Sequence, residues 1–121
     1  MKRPFVALYD NLENINEGEL EFREGDVLVC EEHDDDWMMG SSIMNMQIMG
    51  LVAKNYIQEL RDSIRTVRAE YANQEVAEGE LPFEENELLN VLKQIDDDWY
   101  VCQRSNGQFG LTPVNYVTDD L

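Results

Sequence analysis

The chain has 121 residues, of which 43% are hydrophobic and 29% are charged, and 26 Asp and Glu residues outnumber nine Lys and Arg residues to give a net charge of −17. A charge of that sign repels nucleic acid and anionic membrane surfaces and attracts basic partners. No apolar run approaches the roughly 20 residues of a membrane-spanning helix, so we expect a cytoplasmic protein that neither binds nucleic acid nor inserts into a membrane.

The first half of the chain shows signals for short strands and tight turns. A strand is predicted at Phe5–Tyr9. The segment ELEF then places Leu20 and Phe22 on one face of an extended chain, because alternate side chains of a strand point to the same side. The turn REGD at Arg23–Asp26 leads into a further predicted strand, VLVCEE, and an acidic loop separates that strand from Trp37.

A hairpin rich in methionine follows, with the sequence WMMGSSIMNMQIMGLV. It holds five of the six methionines of the chain. Met44, Met46 and Ile48 alternate along it, as the residues on one face of a strand do. We expect ordinary hairpin and core packing for this face, and the alternative is an adaptable contact patch on the surface.

The second half of the chain repeats the first. VRAEYANQEVAEGELPFEEN follows FVALYDNLENINEGELEFREG, DDDWY follows DDDWM, and GLTPVNYV follows GLVAKNYI, with the anchor residues 60 to 62 positions apart. Loops absorb a drift of that size, so the repeat predicts a duplicated folding unit. Asn106-Gly107 adds a hairpin signal, because both residues tolerate positive φ. Each copy offers about five short strands, which is typical of a small barrel of two packed sheets.

Five motifs recur in the same order in both copies: an ALYD-like segment, an acidic loop, ELxF, an acid–Trp step, and a closing GLxxxNY. Together they resemble the Src-homology-3 (SH3) domain. The resemblance covers almost the whole chain, twice. It implies an all-β fold of two tandem small five-stranded SH3-type barrels joined by a short linker, with domain 1 at residues 2–60 and domain 2 at residues 64–120. The pair also resembles the N-terminal SH3 pair of fungal endocytic adaptors that regulate actin assembly.

The resemblance implies a groove for proline-rich segments in the polyproline II conformation, flanked by an acidic specificity pocket. Aromatic ridges accept rigid proline turns at low entropic cost, and nearby carboxylates pair with an Arg or Lys of the ligand. The implied peptide-binding residues of domain 2 are Tyr71, Glu78, Glu80, Asp98, Trp99, Pro113, Asn115 and Tyr116. Those of domain 1, the weaker candidate, are Tyr9, Glu17, Glu19, Asp36, Trp37, Asn55 and Tyr56.

Two departures from the family pattern bear on the groove. Asn11 and Asn73 stand where the family has the second aromatic residue of ALYDY, so one wall of one proline pocket is less apolar in both domains. Ala53 replaces the groove proline in the first copy, whereas Pro113 keeps it in the second. We therefore expect the second domain to be the stronger binder of proline-rich segments.

Neither a catalytic constellation nor a metal or cofactor motif is apparent in the sequence. His33 is predicted to be a solvated loop residue, since no residue pairs with it at metal or triad spacing. There is no GxxxxGK, HExxH or GxSxG motif, and DDDW lacks the alternating acids and the glycine of a calcium loop. Cys30 and Cys102 form no CxxC motif and are expected to be free thiols.

We therefore predict a non-enzymatic adaptor, without cofactor or metal, that binds Arg- or Lys-flanked PxxP segments of partner proteins in signalling or in actin and endocytic assembly. An alternative stays open at this point. The two domains could form one composite groove for an atypical or intramolecular peptide, with a regulatory or structural role. The limits of the chain, just outside the two copies, are compatible with a fragment of a longer protein.

Overall fold

The computed structural model describes residues 1–12 and 16–121. The chain divides into two compact units, Met1–Leu60 and Arg61–Leu121, where the sequence predicts domains at residues 2–60 and 64–120. Each unit contains one five-stranded antiparallel sheet. The all-β prediction is confirmed, and the architecture is consistent with an SH3-type barrel. Neither of the short helical turns in the described residues is long and apolar enough to cross a membrane.

The first unit has the strand order β4-β3-β2-β1-β5. A single 3-10 turn, Lys54–Tyr56, connects the last two strands. The strands are β1 Arg3–Ala7, β2 Val27–Glu32, β3 Trp37–Ser42, β4 Asn45–Ala53 and β5 Ile57–Glu59.

The second unit has the strand order β10-β6-β7-β8-β9. A 3-10 turn, Val114–Tyr116, lies in the corresponding place between its last two strands. The strands are β6 Arg65–Ala69, β7 Leu88–Gln94, β8 Trp99–Gln103, β9 Phe109–Pro113 and β10 Val117–Thr118.

Each unit has its own apolar core, to which the ELxF segment contributes two side chains. Leu20 and Phe22 are buried in the first unit, and Leu81 and Phe83 are buried in the second. The predicted alternation of these segments is therefore confirmed by their burial. Both cysteines are free and buried in these cores, and burial raises the pKa of Cys30 to about 12 and that of Cys102 to about 11.

The methionine-rich hairpin departs from the expected core packing. Met38 is buried, but Met44 and Ile48 are 52% and 60% exposed. Met44 is exposed because it lies in the turn between β3 and β4, and Ile48 is exposed because of the register between the two strands. Ser42 pairs with Asn45, whereas Gly40 pairs with Gly50, so residues 46–49 protrude from the ladder. The prediction that this face packs in the core is wrong for Met44 and Ile48.

The hairpin predicted around Asn106-Gly107 is present, because β8 pairs with β9. Its turn is longer than two residues, because the last pair of the ladder is Gln103 and Phe109. The N–H of Gly107 donates to the Arg104 carbonyl at 3.0 Å, and Gly107 has a φ of +92°. Asn106 is not among the described residues with positive φ. Only one residue of the pair therefore uses the left-handed region, as in loops longer than two residues.

Candidate functional site

A pair of tyrosine rings lies at the same place in each unit. Tyr71 follows β6, and Tyr116 ends the 3-10 turn. Their ring centroids are 5.6 Å apart with an edge-to-face angle of 71°. The pair Tyr9–Tyr56 of the first unit has a separation of 5.5 Å and an angle of 77°. Tyr71 is 57% exposed, so each pair presents an aromatic surface to solvent next to a half-buried partner ring.

The loop before each tryptophan is held by the first acid of its DDDW segment. Asp96 Oδ1 accepts hydrogen bonds from the backbone N–H of Asp98 at 2.8 Å and of Trp99 at 2.9 Å. Asp34 makes the same two contacts before Trp37. This role was missed in the sequence analysis. The signal was an acid three residues before each Trp, the spacing at which an Asp side chain caps its own turn.

Trp99 borders an open cavity of about 430 Å³ in the second unit. The indole is half-buried at the start of β8, while the neighbouring carboxylates are exposed. Pro113 lies opposite Trp99 in the β8–β9 ladder, and the N–H of Val114 donates to the Asp98 carbonyl at 2.9 Å. The cavity is lined by Asp97, Asp98, Trp99, Val114 and Asn115. Three of these, Asp98, Trp99 and Asn115, are predicted site residues, and the predicted Pro113 lies next to them opposite Trp99.

The predicted acids Glu78 and Glu80 lie on a loop that is fastened to β9. The N–H of Leu81 donates to the Leu111 carbonyl at 2.8 Å, and the N–H of Leu111 donates to the Gly79 carbonyl at 2.8 Å. Gly110 makes this approach possible, because a Cβ atom there would lie 2.8 Å from the Leu81 nitrogen. Neither Glu78 nor Glu80 is among the residues that line the Trp99 cavity, and their grouping with Asp98 in one pocket stays a prediction.

The corresponding cavity of the first unit, beside Trp37, is lined by one cationic side chain, whereas the lining of the Trp99 cavity has none. It has a volume of about 360 Å³ and is lined by Asp35, Asp36, Trp37, Ala53, Lys54 and Asn55. Lys54 takes the place that Val114 has in the second unit, and its Nζ lies 2.6 Å from Glu32 Oε2. This hydrogen bond, together with the charges of Lys54 and Arg3, lowers the pKa of the exposed Glu32 carboxyl.

The remaining predicted residues of the first unit lie on its acidic loop and 3-10 turn. Glu17 is exposed, whereas Glu19 accepts a hydrogen bond from the backbone N–H of Asn16 at 2.9 Å and forms a bridge with Leu51 of β4. One carboxylate oxygen of Glu19 is therefore engaged within its own loop. Asn55 is exposed at the cavity and Tyr56 is half-buried beside Tyr9.

The described part of the chain contains no group of three or more His, Cys, Asp or Glu side chains that could hold a metal ion. The thiols of Cys30 and Cys102 are buried and their pKa values are raised by that burial. Because the thiolate is the nucleophile, neither cysteine is activated for covalent chemistry. The exposed aromatic surface and the exposed carboxylates of each unit are groups suited to binding a ligand.

Residues 69–118, which lie in the second unit, match the family model of the variant SH3 domain. Similarity to fungal proteins extends across both units. The Actin cytoskeleton-regulatory complex protein sla1 of Sclerotinia sclerotiorum is 34% identical over 119 residues, covering 93% of this chain and 10% of that protein. The protein of the same description from Schizosaccharomyces pombe is 32% identical over 108 residues, covering 84% of this chain and 7% of that protein.

The chain therefore spans a tenth or less of the length of these relatives. Endophilin-A1 of Mus musculus is 42% identical over 50 residues, which is 41% of this chain and 14% of that protein. A solved structure, CED-2, aligns with a TM-score of 0.47 and 20% sequence identity, covering 84% of this chain and 70% of that chain.

Proposed function

We propose that the variant SH3 domain at residues 69–118 is the second of two SH3 domains in this chain, and that the pair forms a non-enzymatic, cytoplasmic adaptor module. In support, the fungal similarity extends over 93% of the chain. Each unit also carries a five-stranded antiparallel sheet, an edge-to-face tyrosine pair and a tryptophan beside exposed acids.

The ligands we propose are proline-rich segments flanked by Arg or Lys. The observation that carries this proposal is the surface of the second unit, where the exposed Tyr71–Tyr116 pair and the acid-lined Trp99 cavity belong to one small barrel. Rigid proline turns pack on aromatic faces at low entropic cost. A ligand Arg beside the tryptophan would meet Asp97 and Asp98, and a carboxylate can bind a guanidinium bidentately.

We propose that the second domain carries most of the affinity. Pro113 and Val114 present an apolar edge beside Trp99, whereas Ala53 and Lys54 occupy the corresponding places beside Trp37. Ala53 offers less apolar surface to a proline ring, and the charge of Lys54 opposes a basic flanking residue. Both differences should weaken the binding of a basic, proline-rich segment to the first domain.

The names of the fungal relatives suggest the setting. Both are described as actin cytoskeleton-regulatory complex proteins, and we propose that this chain acts in actin-regulating or endocytic assembly. Its basic ligands would also be attracted by the net charge of −17, because a protein of that charge steers cationic partners toward it.

The first test compares two single substitutions, Trp99→Lys and Trp37→Lys, in the intact chain. A panel of Arg- and Lys-flanked PxxP peptides is titrated by NMR, with the backbone amide signals of both units as reporters. We expect Trp99→Lys to weaken binding by at least about a hundredfold, since a half-buried aromatic anchor is replaced by a charge that repels a basic ligand. Trp37→Lys is expected to cost much less.

The other outcomes of this test are also informative. Equal losses from the two substitutions would favour one composite groove over two separate ones. A loss confined to Trp37→Lys would overturn the ranking of the domains, and failure of every peptide to bind the unaltered chain would overturn the proposed ligand class. Dispersed amide spectra of both variants serve as the folding control.

A further inference from the structure

Asn11 and Asn73 occupy the same place in the two units and make the same contacts. Each forms an isolated antiparallel bridge with the phenylalanine of its ELxF segment. The Nδ2 amide of Asn11 donates to the Leu20 carbonyl at 2.8 Å, and that of Asn73 donates to the Leu81 carbonyl at 3.0 Å. In each unit, one N–H group of the carboxamide therefore links the segment after the first strand to the ELxF segment.

The Oδ1 atom of each carboxamide remains as a hydrogen-bond acceptor. Since the nitrogen must face the backbone carbonyl, Oδ1 faces away from it. Among residues 1–12 and 16–121, neither Oδ1 atom accepts a hydrogen bond. The one buried side-chain polar atom without a partner in these ranges is Thr112 Oγ1. Asn11 is half-buried and Asn73 is 9% exposed, so each Oδ1 atom keeps only a small contact with solvent.

In the first unit the free acceptor lies beside the aromatic surface of the proposed site. Asn11 lines a cavity of about 300 Å³ together with Asp10, Leu12 and Tyr56, and Tyr56 is the inner ring of the tyrosine pair. Asp10 already accepts a hydrogen bond from the backbone N–H of Glu24 at 2.7 Å through its Oδ1. The asparagine thus offers an acceptor that the fold itself does not use.

We infer that Asn11 and Asn73 are specificity-determining residues, whose Oδ1 atoms accept a hydrogen bond from a backbone N–H of the bound peptide. This inference rests on the proposed function and deepens it. Proline has no N–H, so a proline at this point would bury the acceptor without a partner, and an unsatisfied buried acceptor is costly. The ligand class is therefore a peptide with proline on the tyrosine pair and a non-proline residue against the asparagine.

The test removes single N–H groups from the ligand and leaves the protein unaltered. An Arg-flanked proline-rich peptide is compared with versions in which each non-proline residue of its core is N-methylated in turn, by titration into the intact chain. At one position we expect N-methylation to weaken binding by about five- to tenfold, the range of one hydrogen bond. The side-chain amide signals of Asn73 or Asn11 should shift with the unmethylated peptide.

Two matched double variants assign that loss to the asparagines. Asn11→Asp with Asn73→Asp and Asn11→Leu with Asn73→Leu both lose the donor to the loop carbonyl, but only Asp retains an acceptor. We expect the N-methyl penalty to persist in the Asp variant and to disappear in the Leu variant.

Three results would overturn the inference. N-methylation at every position could leave binding unchanged, or its penalty could survive in the Leu variant, and in either case the proposed function would stand while the role of the asparagines fails. If no peptide of the panel binds the unaltered chain, the proposed function itself fails, and the inference fails with it.

Discussion

At the residue scale, a buried cross-strand pair differs between the two units in the size of its second residue. In the first unit Cys30 of β2 lies opposite Gly40 of β3, and in the second unit Val91 of β7 lies opposite Cys102 of β8. Gly40 carries no side chain beside Cys30, since a Cβ atom at Gly40 would clash with the Cys30 sulfur and would lie 3.1 Å from the Val29 carbonyl oxygen. Close packing leaves no room for a side chain opposite Cys30 in the first unit, whereas the second unit accommodates Cys102 opposite Val91.

We expect Gly40→Ala to destabilise the first unit by about 1–3 kcal/mol, the usual cost of overpacking a core. The added methyl group must displace a sulfur that is itself fully buried. The free energy of unfolding is measured by urea titration, with the amide signals of β2 and β3 as reporters so that the first unit is observed separately.

The control for this prediction is a double-mutant cycle. Cys30→Ala alone should also destabilise, because it leaves a cavity. Combined with Gly40→Ala, it removes the sulfur that the new methyl group would strike, and the double variant should cost less than the sum by about 1 kcal/mol. If the effects of the two substitutions are strictly additive, the Cys30 sulfur is not what excludes a side chain at position 40.

At the scale of elements, an ion pair joins two connections of the second unit. Arg104, in the β8–β9 hairpin, donates from Nε to Glu87 Oε2 at 2.7 Å and from Nη2 to Oε1 at 3.1 Å. Glu87 belongs to the turn before β7 and also accepts from the backbone N–H of Glu84 at 3.0 Å. Partial burial opposes ionisation of Glu87, but these hydrogen bonds and the charge of Arg104 outweigh it and lower its pKa.

A glutamate with a lowered pKa in the folded state contributes stability above its unfolded pKa, and that contribution is lost as the pH falls through the folded value. We therefore expect Arg104→Ala to destabilise the second unit by about 1–2 kcal/mol at pH 7, the range of a partly exposed bidentate pair. The difference between variant and parent should shrink below about pH 4.5, the usual range of a glutamate.

The measurement is urea unfolding at a series of pH values, followed by the amide signals of β7 and β8. Arg104→Lys is the matched control, because it keeps the charge and removes the planar fork. Its loss at neutral pH should lie between those of the parent and Arg104→Ala. A loss from Arg104→Ala that does not depend on pH would mean that the arginine acts through packing of its stem.

At the scale of the whole molecule, the chain has a net charge of −17. Its acids can act on a basic ligand either by direct contact or by long-range attraction. A carboxylate that touches a ligand Arg should affect the lifetime of the complex, whereas remote acids act on the encounter rate and are screened by salt. Asp98 lines the Trp99 cavity, and Glu80 lies on the loop fastened to β9.

We expect Glu80→Gln with Asp98→Asn to weaken a basic PxxP peptide by at least about tenfold and to flatten the salt dependence of its affinity. Glu84→Gln with Glu85→Gln removes the same number of charges from two exposed positions in the turn before β7. This control should change little beyond the on-rate. Equal losses of affinity in the two variants, measured by titration at several salt concentrations, would show that the acidity is only a diffuse field.

Some features of the candidate site could be anticipated from local patterns. The acid–Trp step places Trp37 and Trp99 at the start of a strand, and the ELxF segments bury both of their apolar side chains. These features depend on the alternation of side chains and on residues within one turn, which a linear sequence displays directly. Asp98 is a site residue that the SH3 resemblance implies, and it lines the Trp99 cavity.

The amino-acid sequence by itself determined the repeat, which is visible as anchor residues 60 to 62 positions apart. It also determined the all-β class and the buried ELxF faces, since both follow from short-range periodicity. Only the tertiary structure decided that residues 46–49 protrude, that Lys54 pairs with Glu32 beside the Trp37 cavity, and that the Asn11 and Asn73 amides fasten their loops. These depend on which residues of distant segments lie opposite each other. A shift in register changes which residues lie opposite each other without changing the local sequence pattern. This pairing therefore cannot be predicted from the pattern alone.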